Sequence, residues 1–484
     1  MNSSAIHKQI FWFSLINYVG VAIGMVSTLF IYPNNQQFLG EIRFVESIAQ
    51  LLFPLFLLGL PNALVNFYPL LKTDTQPQLF GYAIIRILYV FLLVGLVLGL
   101  VHSFFNISKF EYYIPAYILA FALAYIELFK KKSAIIQKIE VPTLLEKVMP
   151  KLLLPSLFIY LFYTKISTEK LWYVYSFVFV GLAFFTYFYI VKTVQPTFKK
   201  NNKNVFEHFT KAEFYRFSFY AFAGSLGSFL AFRIDSFMLG NFNSMEAVGS
   251  YNIAVLLTSV IAIPATGLFA THAPIISELL KNNQLKELGT KYTETSKFLF
   301  FIGALAMGCL VLGITDLFSL LPTADKLLPI IPVVYLLGFN VLINMATGFN
   351  SEIITFSKYY RFNIYTVYVL VGLNILLTYY FLTQTTLGTV GVAIASLVSL
   401  VVFNASKLIF IYQKFNLQPF DKSYIKLIFL VVFLVLFFYL LPSFENHWLN
   451  ILVKCGLFVG SSLFLVIKLR WIYALQKFAK WLKV

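Results

Sequence analysis

Long runs of Phe, Leu, Ile, Val and Tyr alternate along the chain with short stretches where Lys, Asn, Glu and Pro collect. The runs are continuous and do not switch polarity residue by residue, so they predict helices and exclude a transmembrane barrel. Apolar runs of roughly 17–25 residues give about fourteen membrane-spanning helices. Their approximate ranges are 9–31, 42–68, 80–102, 112–130, 144–163, 171–192, 213–239 and 247–271. The remainder are 297–321, 328–350, 361–383, 388–412, 424–442 and 448–467. The longest connections fall at 193–212 and 276–296, and no external loop is large enough to hold a catalytic domain.

Composition changes the picture in one respect. With 60% hydrophobic and 12% charged residues among 484, the chain is not a soluble globular protein. A formal charge of +17 would point to nucleic acid in a soluble chain. Here the cations fall in alternate connections, so no nucleic-acid partner is expected. One set holds Lys72, Lys130, Lys131, Lys132, Lys138, Lys199, Lys281, Lys358, Lys407 and Lys422 with several others, and the opposite set only Arg43, Lys109, Lys165, Lys170 and Lys326. This bias puts the first set and both termini of a multi-pass membrane protein in the cytoplasm. His7 and Lys8 precede the first run without a small-residue cleavage site, so that run reads as an uncleaved span. In the tail, Trp471, Leu475, Phe478 and Leu482 recur at helical spacing among Lys477, Lys480 and Lys483, the pattern of an amphipathic helix on an anionic membrane face. Cys309 and Cys455 lie in apolar segments and imply neither a disulfide framework nor a zinc site.

The chain also repeats itself. Leu39-Gly40 opens span two and Val248-Gly249 opens span eight, and each helix then carries a proline, Pro54 and Pro264, at a similar offset. Six crossings return a chain to its starting side, so the repeats are parallel, related by an axis along the membrane normal. The expected fold is all-α and polytopic: an N-terminal lobe (1–210), a C-terminal lobe (211–415), and a segment 416–484 with two extra helices and the basic tail. Two six-helix lobes facing a central cleft are the architecture of an alternating-access carrier. No phosphate-binding loop, His-Glu-x-x-His or ligand-spaced His/Cys cluster is present. No metal or cofactor is therefore expected, and uphill cycling is expected to draw on an ion gradient (H+ or Na+) or the membrane potential.

Arg233 and Asp235 stand two residues apart near the end of span seven, followed by Gly240, Gly249 and Tyr251. Charges inside a span are costly unless paired or wetted, so they mark functional or tightly packed positions. Around them, Arg233-Ile-Asp235, Leu239-Gly240 and Val248-Gly249-Ser-Tyr251 resemble the junction of spans seven and eight in bacterial polysaccharide exporters. Leu58-Gly59-Leu60-Pro61 through Asn66-Phe67-Tyr68-Pro69 is similar to that family's second span, and Leu387-Gly388-Thr-Val-Gly391 to the start of its twelfth. These are O-antigen and exopolysaccharide flippases of the MATE-like MOP exporter superfamily. The resemblance implies fourteen helices and translocation of an undecaprenyl-pyrophosphate-linked oligosaccharide, alongside a polysaccharide polymerase or export machinery. It names neither the sugar nor the coupling ion, and bond-making catalysis is not expected.

Such a substrate needs fixed positive charge, for which Arg offers a planar, bidentate fork. Arg43 has Glu46 one turn on and is expected to form a local ion pair. Arg86 either snorkels to the cytoplasmic face or meets substrate, and Arg216 anchors at the interface. Arg233 and Asp235 point to different faces, so each needs a partner on another helix, with an interhelical bond the first expectation for Asp235. Asn340, Asn344 and Thr347 share one face of span ten, and Asn62 and Asn66 one face of span two. They suit sugar hydroxyls, although such groups more often make interhelical hydrogen bonds. Gly224, Ser225, Gly227 and Ser228 read as close helix packing. Two rival functions stand beside this one. A multidrug or metabolite cation antiporter of the same fold would favour a carboxylate-dominated cleft, and an O-antigen polymerase or ligase would need a large basic external loop.

Overall fold

The computed structural model describes residues 20–138, 140–164, 166–198, 203–207 and 209–476. The beginning of span one, and Lys477, Phe478, Lys480, Leu482 and Lys483 of the tail, lie outside them. All regular structure among the described residues is helical. The chain forms two compact units, Met1–Gly249 and Ser250–Val484.

In the first unit, α1 (Gln36–Leu57) begins where the Asn35 side chain accepts the Phe38 N–H at 3.0 Å. Leu58 and Gly59 then both take left-handed backbone angles, φ 43° and 75°, and the chain bends by 43° into α2 (Leu60–Phe67). Span two is therefore a broken helix. The break lies at Leu58-Gly59 and not at Pro54, whose carbonyl still accepts the Leu58 N–H at 3.0 Å. A side chain at Gly59 would run into the Ser218 carbonyl, so a close approach adds to the conformational demand for glycine.

Next come α3 (Gln76–Phe105), α4 (Tyr113–Ile135), α5 (Glu140–Tyr163), α6 (Thr168–Val191) and α7 (Lys211–Phe242). The central element is α1, packed by α4 and α7, with Phe38, Leu39, Ile42, Phe44 and Val45 fully buried. At the periphery, α3 leaves Leu92, Leu93, Leu96 and Phe104 exposed, which suits lipid because acyl tails are as apolar as leucine. The start of α8 (Met245–Ser259) crosses α1 at the two glycines of the repeat. A Cβ on Gly40 would strike the Met245 carbonyl, one on Gly249 the Gln36 carbonyl, and one on Gly240 the Phe44 ring. Spacing found Gly40 and Gly249 in the sequence, and contact between backbones explains them, whereas Gly240 makes room for the Phe44 ring.

In the second unit a 3-10 turn, Val260–Ala262, separates α8 from α9 (Ile263–Lys281). Then follow α10 (Leu285–Ser319), α11 (Ile331–Ala346), α12 (Asn350–Thr355), α13 (Tyr360–Gln384) and α14 (Gly388–Phe415). The last pair is α15 (Lys422–Leu440) and α16 (His447–Lys468). The expected long connection at 276–296 is a correction. Its residues extend α9 and α10, with Glu287 and Lys291 paired at 3.6 Å one turn apart, because a polar helix end is invisible to an apolar-run reading. Gly348, at φ 60°, breaks span ten between α11 and α12. The final pair packs on α10 through Phe300, Leu427, Val431, Leu434 and Phe458. It is tied at one end by Lys297–Asp421 (2.9 Å) and at the other by Asp316 with His447 (2.6 Å) and Asn450.

Ten helices among the described residues are long and apolar enough to cross a membrane, or eleven with the bent pair as one span. The expected spans α5 and α7 are not among the ten. Both carry several charges, yet at 24 and 32 residues they are long enough to cross a core of about 30 Å. The protein is a multi-pass, all-α membrane protein.

Candidate functional site

The first unit buries a connected set of charges on α1, α6 and α7. Glu41 and Glu46 of α1 are both buried. Glu41 accepts from Trp172 Nε1 of α6 at 3.0 Å and from Gln37 Nε2 at 3.1 Å, so neutral donors satisfy it. Glu46 Oε2 accepts from Arg43 at 2.6 Å, and its Oε1 accepts from the Tyr175 hydroxyl of α6. The local Arg43–Glu46 pair expected from their spacing is present. The buried Nε of Arg43 has no hydrogen-bond partner.

Arg233 reaches this set from α7. Its Nε donates to Gln50 Oε1 of α1 at 2.5 Å, a partner on another helix as anticipated. Glu46 lies within electrostatic reach of Arg233, but its two oxygens are already taken. No carboxylate among the described residues is within ion-pair distance of Arg233; its Nε is bonded to a neutral amide, and Glu46 acts on its charge from beyond contact. Such a guanidinium can donate to the oxygens of an anionic group in bidentate fashion.

Gln50 also lines a cavity of about 350 Å³ between α1, α4, α5 and α6. Phe53, Ile126, Leu145 and Phe179 form apolar walls, and Glu127, Lys130 and Glu146 line it as well. Lys130 bridges the two acids at 2.6 and 2.9 Å. At about 30 Å³ per water, a space of this size holds on the order of ten waters.

The other expected site residues are dispersed. Arg86 is exposed on α3, with its guanidinium 4.9 Å from the centre of the Tyr82 ring, away from the Arg43–Arg233 set. Asn62 is half-buried and Asn66 exposed on α2. On α11, Asn344 is exposed, Asn340 Oδ1 is buried without a partner, and Thr347 donates to Asn404 Oδ1 at 3.0 Å. Asp235 is half-buried and interacting, and Tyr251 is buried. The side chains of Ser225 and Ser228 lie outside the described residues. Lys109 caps α7 by donating to the Gly240 and Asn243 carbonyls, and burial pulls its ammonium below the ordinary lysine value.

Several members were not legible in advance. Gln50, Trp172 and Tyr175 carry no signal of their own within apolar helices. Lys132, grouped in the sequence with loop cations, is fully buried with its ammonium 3.3 Å from the centre of the Tyr68 ring. Lys407 was grouped the same way and is 1% exposed. A lysine one or two turns inside a helix end was the signal available for both.

Comparison with solved structures places this arrangement in a known architecture. The lipid II flippase MurJ, in an inward closed conformation, superposes with a TM-score of 0.71 at 14% identity, covering 95% of this chain and 99% of that one. The fold is MATE-like. A multidrug resistance MATE family transporter of the MOP superfamily, inward-facing, gives a TM-score of 0.59 at 16% identity over 83% of this chain and 94% of that one. No protein-family model matches the sequence, and no curated protein matches it.

Proposed function

We propose that the protein is a MOP-type flippase that translocates an undecaprenyl-pyrophosphate-linked oligosaccharide, an O-antigen or exopolysaccharide repeat unit, across the bacterial cytoplasmic membrane by alternating access. The observation that carries this reading is Arg233: a guanidinium inside a spanning helix, held by Gln50, with no carboxylate in contact among the described residues. A cation antiporter would have little use for such a group, whereas a pyrophosphate has every use for it. The three motifs that resemble polysaccharide exporters support the same substrate, and the fold likeness to a lipid II flippase is compatible with it. The division into 1–210, 211–415 and 416–484 is proposed on the Gly40/Gly249 repeat, although compactness groups α7 with the first unit.

Translocation of a labelled lipid-linked oligosaccharide in proteoliposomes tests this. Arg233→Ala should slow it by about tenfold or more, as expected for losing a charge-assisted contact of about 1.5–3 kcal/mol. Arg86→Ala, outside the cluster, should have a smaller effect. Unchanged rates with Arg233→Ala would remove the cluster from the substrate path.

A further inference from the structure

The second unit buries a cation that the site above does not use. Lys407 of α14 is 1% exposed. Its ammonium donates to Ser351 Oγ at 2.8 Å and lies 3.7 Å from the centre of the Phe403 ring. Ser351 Oγ donates onward to Asn350 Oδ1 at 3.2 Å. Asn350 Nδ2 and Thr347 Oγ1 both donate to Asn404 Oδ1, at 2.9 and 3.0 Å. From Lys407 through Ser351 and Asn350 each bond points away from the lysine, and Asn404 Nδ2 donates on to the Leu400 carbonyl at 3.2 Å, a neutral group. The network therefore uses the ammonium as a donor without supplying negative charge.

The surrounding charges are few. Glu352 of α12, adjacent in sequence to Ser351, acts electrostatically on Lys407, but the two are beyond ion-pair distance. Helix α11 has no charged residue. On α13 the charged residue is Arg361, 5.9 Å from the centre of the Tyr360 ring, and Lys414 of α14 lies 5.8 Å from that of Tyr359. From α9, His272 stacks on Phe349. From α10, Tyr292 packs on the same ring, with its buried hydroxyl unpartnered. The remaining charges of α9 and α10 are exposed (Glu278, Lys281, Lys286, Glu294) or paired as Glu287–Lys291, Lys297–Asp421 and Asp316–His447.

A buried charge without a contacting counter-ion is costly, and lysine, unlike arginine, can relieve that cost by giving up its proton. We propose that Lys407 and Glu352 form a proton-binding pair in the second unit, through which a proton gradient acts on the transport cycle. When Glu352 takes up a proton, Lys407 loses that counter-charge, and among the described residues no other carboxylate acts on it, so it releases a proton from Nζ, keeping the electron pair on nitrogen. The neutral amine then accepts from Ser351, whose hydroxyl rotates. One proton enters at the carboxylate and one leaves the amine, so the exchange balances. Its role in transport rests on the flippase reading; the proton chemistry does not.

A difference titration of the intact chain in nanodiscs, without substrate, separates the two. An ordinary lysine titrates near about 10.4. Wild type should release about one proton more than Lys407→Met between pH 6 and 9. Lys407→Arg, which stays charged, should match Lys407→Met. Glu352→Gln should move the release to lower pH by removing the counter-charge. Equal proton counts in wild type and Lys407→Met overturn the pair. Should Lys407→Met not fold, an unshifted release curve in Glu352→Gln overturns it instead. Proton release with no oligosaccharide translocation in proteoliposomes would keep the pair and sink the flippase reading.

Discussion

Glu46 shows how much one side chain can hold in a spanning helix. It neutralises Arg43, accepts from Tyr175 and faces Arg233, all within a buried set. Removing one partner of a buried pair leaves the other charge stranded, at a cost of about 3–5 kcal/mol. Glu46→Ala is therefore expected to lower unfolding stability in nanodiscs by that amount. The double change Glu46→Leu with Arg43→Met should recover the part of the loss that comes from stranding Arg43, while Arg233 still loses its facing carboxylate. A double variant as unstable as the single one would show that the cluster's geometry, and not its charge balance, holds α1. The i,i+3 spacing made the Arg43–Glu46 pair readable in advance. Tyr175, distant in sequence, was not.

Among elements, the extra pair α15–α16 depends on ties at its ends. Asp421 caps α15 through the Tyr424 N–H at 2.7 Å and also receives Lys297 Nζ, whose side chain is 9% exposed. Partial burial opposes ionisation of Asp421, but the Lys297 ammonium, the Tyr424 N–H and the Ser423 hydroxyl hold its carboxyl below the ordinary value. A folded value below the unfolded one means that the tie contributes fully above about pH 3.9 and is lost as pH falls through the lower folded value. Asp421→Ala should cost about 1 kcal/mol through the cap. Amide exchange in the first turn of α15 should rise accordingly, and the gap to wild type should close only in the acid range. A gap that persists unchanged at pH 2 would mean that the carboxylate's charge contributes nothing. The cap was not recognised from sequence, because the apolar run that defined span thirteen starts after it.

For the whole molecule, the testable statement is orientation. Loop charges predict that Asn282, between α9 and α10, is cytoplasmic, and that Glu445, between α15 and α16, is external. With Cys309 and Cys455 replaced by serine, Glu445→Cys should react with an impermeant maleimide in intact cells, and Asn282→Cys only after lysis. The reverse pattern would invert the topology and move the exposed basic ends to the other face. The predicted orientation would account for the charge of +17 by setting the basic connections beside anionic lipid.

The order and approximate limits of most spans were readable from sequence alone, because membrane crossing depends on a local quantity, the length of an unbroken apolar run; the charged helices α5 and α7 fall outside the ten that pass by length and apolarity among the described residues. The repeat of Gly40 and Gly249 was also readable, since spacing survives in one dimension. Three things waited for the packed helices: the break at Leu58-Gly59, the Gln50 partner of Arg233, and the burial of Lys132 and Lys407. Each depends on which residues, far apart along the chain, share a neighbourhood. A loop lysine and a buried one carry the same letter, and only the surrounding helices remove the water that distinguishes them.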